Sequence, residues 1–136
     1  MSDIKIREPF NIEIQVLEFD EQLYSLKLLL SYFVVYFQDK LIEINNHLWI
    51  DCKVWDDFIS QVYKMKIGEN KVAKLFSMSD ELVLELLEGS GRISFTVYCN
   101  KLIDSSVKIQ NSISSPINIE QLEHIYEQLS SFEKWW

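Results

Sequence analysis

Residues 82–100, LVLELLEGSGRISFTVYCN, decide the fold class. Leu82, Leu84 and Leu86 alternate with Val83, Glu85 and Leu87. Ile93, Phe95, Val97 and Cys99 then alternate with Ser94, Thr96, Tyr98 and Asn100. A two-residue period marks strands that bury one face. Gly89-Ser90-Gly91 supplies a tight turn between the runs, so they read as a hairpin, and so short a connection requires antiparallel pairing.

Downstream, Val107, Ile109, Asn111 and Ile113 continue the alternation until Pro116 closes it. A helix is expected over 118–133. Asn118 suits the N-cap, Gln121 completes a capping-box pair, and Leu122, Ile125, Tyr126, Leu129 and Phe132 form one apolar stripe. Upstream, Val54, Trp55, Phe58, Ile59, Val62 and Tyr63 lay a second stripe along a helix over 53–66. Asp56 and Asp57 are read in its first turns and Lys64 and Lys66 near its end, as the helix dipole favours, and Gly68 stops it. Residues 71–77 read as a weaker strand.

Towards the N-terminus, Ile12, Ile14 and Val16 share a face, and the phase slips at Leu17, which predicts a bulge. Asp20-Glu21-Gln22 breaks the run. Residues 23–30 and 32–38 read as two strands or one long bent strand, with helix competing over 23–30 because Leu favours it. Asp39-Lys40 turns the chain into a strand over 41–45, Asn45-Asn46 makes a second turn, and 48–52 forms a short extended piece. The fold class is therefore α+β: an antiparallel β-sheet with two helices packed on it, in the order strands-helix-strands-helix, with residues 1–136 as a single domain.

The 136 residues are 48% hydrophobic, which supplies a core and argues against disorder. No repeat is visible at the periods that mark solenoids or propellers. The net charge of −8 disfavours nucleic acid and anionic membrane as partners and attracts a basic protein, while also keeping the chain soluble. Residues 23–37 fall short of a membrane span, and the N-terminus lacks a signal-peptide pattern, so a cytoplasmic location is expected. Cys52 and Cys99 belong to no Cys-x-x-Cys pair and read as buried free thiols, with a disulfide left open because their spacing does not fix their separation in space.

Little in the chain points to catalysis. Gly89-Ser90-Gly91 lacks the following helix that a phosphate loop needs. His47 is placed in the Asn45-Asn46-His47 turn. His124 can share a helical face with Glu120 and Glu127, but no further His or Cys ligand stands near. The serines, including Ser105-Ser106 and 112–115, occupy no nucleophile-elbow context. No catalytic residue, metal site or cofactor is assigned, and the chain is read as a non-enzyme.

What stands out is charge and aromatic placement. Glu13 and Glu18 decorate the early strands, Glu81, Glu85 and Glu88 the hairpin. With Tyr98, Trp135 and Trp136 they form the candidate partner-binding set, because aromatics among acids make protein-binding hot spots. Tyr32, Tyr36 and Tyr98 are expected to form an exposed aromatic patch, and the two terminal tryptophans to cap the sheet or anchor a partner.

The layout resembles the WapI-type immunity proteins of bacterial polymorphic toxin systems. The resemblance is carried by the helix start Val54-Trp55-Asp56-Asp57-Phe58, by the Leu-rich strand 81–87 leading through a Gly turn into Arg92-Ile93-Ser94-Phe95-Thr96-Val97, and by the closing helix with Leu122, Ile125 and Leu129. It implies stoichiometric neutralisation of a cognate toxin, often a nuclease, by a monomer or homodimer. A basic nuclease cleft gives the acidic surface a target. An acidic secretion chaperone is the competing reading, although such proteins usually open with a helix. A small carboxylate-based enzyme ranks third.

Overall fold

The computed structural model describes residues 3–36, 40–102, 104 and 106–136. The chain runs β1 (Ile4–Ile6), β2 (Asn11–Asp20), β3 (Ser25–Tyr36), β4 (Lys40–Asp51), α1 (Cys52–Lys66), β5 (Val72–Phe76), β6 (Leu82–Gly89), β7 (Arg92–Leu102), β8 (Lys108–Ile117) and α2 (Ile119–Ser131). The class and element order are those read from the sequence, α+β with antiparallel strands. Among the described residues the strands divide into two four-stranded meanders, β1-β2-β3-β4 and β5-β6-β7-β8.

The hairpin at 82–100 forms as expected, with Gly89 opposite Arg92. Ser90 (φ 52°) and Gly91 (φ 75°) both take positive φ, the type I′ geometry that matches strand twist. The slip at Leu17 is a register shift between Val16 and Glu18. Residues 25–36 form one continuous strand. The segment 40–51 is also one strand, not two pieces around a turn. Asn45 and Asn46 stay in register opposite Ser31 and Leu30, and Ser31 Oγ donates to Asn45 Oδ1 at 2.6 Å. His47 therefore sits on a strand. Pro116 likewise lies inside β8, where an edge position tolerates its missing N–H.

Helix α1 starts one residue earlier than read, because Asp51 is its N-cap and accepts from the N–H groups of Lys53 and Val54. This leaves Asp56 and Asp57 in the second turn, away from the dipole's positive end. Lys64 and Lys66 do occupy the last turn, and Gly68 (φ 80°) follows. Asn118 and Gln121 form the expected reciprocal capping box on α2.

The last two strands and the helix of each half share one register. Leu26 faces Ile50 in β3–β4, and Ile93 faces Ile117 in β7–β8. Leu30 faces Asn46, and Val97 faces Ile113. Each residue and its counterpart stand 67 positions apart. The offset continues into the helices, where buried Trp55, Phe58 and Val62 match buried Leu122, Ile125 and Leu129. The fold is thus a tandem ββββα repeat of a period too long for a solenoid signature.

One buried cluster joins both halves. Helix α1 packs on β5 of the second half and α2 packs on β1 of the first, so each helix serves the other sheet. Phe10 stacks on Phe95 with centroids 5.5 Å apart, and Trp55 meets Phe132 edge-on at 5.6 Å. Cys52 and Cys99 are buried and form no disulfide with each other. Tyr32 is 2% exposed, so it belongs to the core and not to a surface aromatic patch; it lies on the inward face with Leu26, Leu28 and Leu30. The side chain of Tyr36 lies outside the described residues. No helix among them is long and apolar enough to cross a membrane.

Two outcomes follow. Trp55→Ala opens a cavity where both halves meet and should lower unfolding free energy by roughly 3–5 kcal/mol in urea titration. The Tyr32 hydroxyl is buried without a hydrogen-bond partner among the described residues. Burial, and secondarily the nearby Cys99 thiol, push it up to about 12. The folded state thus holds this proton more tightly than the unfolded chain, so the contribution is intact below about pH 10 and is lost as pH rises towards 12. Tyr32→Phe should raise stability at neutral pH by about 1 kcal/mol and flatten the alkaline loss across that window, as followed by urea midpoints against pH.

Candidate functional site

Outward-facing positions of the two sheets carry the polar chemistry. In the second sheet, register aligns Lys74, Glu85, Thr96 and Ser114 in one row across all four strands. Lys74 Nζ lies 3.7 Å from Glu85 Oε2, the Tyr98 hydroxyl donates to Glu85 Oε1 at 3.2 Å, and Thr96 and Ser114 share a 2.8 Å hydrogen bond. Burial, followed by the Glu85 charge, pushes the Tyr98 phenol up from its ordinary value, so it remains a neutral donor at pH 7. Next to this row, Glu81 pairs with Lys108 at 3.5 Å. In the first sheet the row is Lys5, Glu13, Ser31 and Asn45, with Lys5 and Glu13 4.0 Å apart.

The two surfaces meet at His47. A cleft of about 170 Å³ between β4 and the second sheet is lined by His47, Trp49, Ser77, Glu81, Tyr98 and Asn100, among others. A shallower groove of about 330 Å³ on the first sheet is lined by Glu13, Gln15, Ser31, Glu43, Asn45 and again His47. The exposed side chains of Glu43, Asn45 and His47 alternate along β4 and link the two. The Met78 N–H donates to the Trp49 carbonyl at 2.8 Å, which seats the β5–β6 turn against β4 and fixes the cleft's wall.

The structure sorts the candidate residues. Glu13 and Glu18 project outward from the first sheet and Glu85 and Tyr98 from the second, while Glu81 lies at the end of the β5–β6 turn beside it. Glu18 stands opposite Lys27 in the strand register and is exposed. Glu85 is engaged by Lys74 and Tyr98, its side chain only 16% exposed, so it anchors Tyr98 and offers little to a partner. Glu88 stands three residues along β6 from Glu85, and alternation sends it to the opposite face. Trp136 packs beside the helices: its ring N–H donates to Asp56 Oδ2 at 3.0 Å, and it contacts Phe132. Trp135 is exposed, and neither tryptophan lines the cleft. Glu43 and His47 join the acidic face without having been singled out for it. Only the reading of 40–51 as a single strand reveals their alternation.

Among the described residues, no three His, Cys, Asp or Glu side chains converge as a metal site would require. His124 lines a separate open groove with Arg7, Asn118 and Glu120. What the arrangement at His47 can do is present carboxylates and hydrogen-bonding groups on a rigid sheet. No family model, curated protein or solved structure matches this chain.

Proposed function

We propose that the protein is an immunity protein that binds and neutralises a basic bacterial toxin, such as a nuclease with a basic cleft, through the surface centred on His47. The observation that carries this reading is the continuity of two outward sheet faces there, bringing Glu13, Glu43 and Glu81 onto one surface beside Tyr98. Glu13 and Glu43 are held in place by the strand ladder and Glu81 by its backbone bond with Ser77, so little ordering entropy is spent on docking. Charge on such a rim accelerates encounter with a cationic partner. The half-buried Tyr98, held by Glu85, offers an aromatic contact of the kind that dominates protein interfaces. The reading implies a cytoplasmic location, where the toxin would otherwise act, and direct blockade rather than chemistry.

The test is capture of partners from the producing cells with the tagged full chain, at low and high salt. One basic protein recovered at near-equal stoichiometry, whose toxic activity falls as the complex forms, is the expected result. The triple variant Glu13→Lys, Glu43→Lys, Glu81→Lys should weaken binding to that partner by at least about tenfold and flatten its salt dependence. Its circular dichroism should match the parent. A partner bound equally well by the triple variant, or no basic partner from a folded sample, overturns the reading.

A further inference from the structure

A sheet edge is a row of unpaired backbone donors and acceptors, and folded chains normally cover or blunt it. Among the described residues the sheet edges are β1, β4, β5 and β8. Helix α2 packs on β1 and α1 on β5, where Gln61 Oε1 accepts from the Lys74 N–H at 3.1 Å. The β5–β6 turn bonds to β4 through Trp49. For β8, among the described residues, no group outside β7 and β8 hydrogen-bonds to the backbone.

β8 is also the edge with the fewest other defences. It is ten residues long and pairs with β7 without a register shift. From Ile109 to Ile117 it carries no charged residue, in a chain of net charge −8. Ile109 is 41% exposed, and every position from Lys108 to Ser112 is exposed. Pro116 has no N–H to give the β7 ladder, so its nitrogen faces the open side. By alternation the N–H and C=O groups of Ser114, Ser112, Gln110 and Lys108 face that side as well.

We propose that β8 pairs antiparallel with β8 of a second copy about a two-fold axis at Ser112, joining two four-stranded sheets into one of eight strands. Charge selects this occupant. Two acidic chains repel over most of their surfaces, and β8 is a neutral strip on which they can meet. Nothing along it would steer a strongly basic partner. Pairing about Ser112 sets Gln110 opposite Ser114 and Lys108 opposite Pro116. The two lysines then lie at opposite ends, and each proline marks where pairing stops. Such an isologous contact closes on itself and cannot propagate.

Sedimentation equilibrium of the full chain over a wide concentration range tests this. The expected mass rises from one chain towards two as concentration increases, and added salt tightens association by screening the acidic repulsion. Ser112→Lys sets like charges against each other at the axis, and Ser112→Pro removes a donor from the open side alone. Both should remain monomeric at concentrations where the parent is dimeric, with unchanged circular dichroism. If Ser112→Pro disturbs folding, Ser112→Lys carries the comparison. A parent that stays monomeric throughout, or a dimer that folded Ser112→Lys leaves intact, overturns the proposal.

Discussion

Each half of this molecule builds a sheet with one apolar face, and each covers the other's edge with its helix. Helix α1 lies on β5 and α2 on β1. Trp55, Phe58 and Val62 on one helix, and Leu122, Ile125 and Leu129 on the other, therefore serve a core that belongs to both halves. Burial of apolar side chains across this exchange is the main stabilising term. It also fixes the angle at which the two outward faces meet near His47. Loosening the exchange would disturb the cleft without touching any residue that lines it.

Much of the local structure was legible because short-range chemistry specifies it. The Gly-Ser-Gly hairpin, the capping box at Asn118, the two helical stripes and the bulge after Val16 each depend on neighbours within a few residues. The strand β1 was not legible, since Ile4 and Ile6 form a three-residue element whose existence depends on β2 and α2. β4 departs from the expected turn at Asn45-Asn46-His47, where turn-favouring residues are held extended by pairing with β3. Division into two sheets is likewise a long-range outcome, invisible to alternation within any one run.

The site was less legible than the fold for the same reason. Charge clustering drew attention to Glu13, Glu18 and Glu85, which do project outward, and to Glu81 at the end of the β5–β6 turn, but it could not separate an available carboxylate from one already engaged. Glu85 is held by Lys74 and Tyr98, and Glu88 is turned away by the pleat. Tyr32 shows the converse. Its place on a strand suggested display, whereas its phase with Leu28 and Leu30 commits it to the interior.

The 67-residue offset that relates the last two strands and the helix of each half has an evolutionary and thermodynamic consequence. A chain of half this length could form an equivalent core only as a dimer, and dilution would separate it. The short link 67–71 makes that encounter intramolecular, at an effective concentration on the order of millimolar. Stability then ceases to depend on how much protein is made. Equivalent positions are also released from having to be identical, so one copy can keep His47 where the other has Ser114.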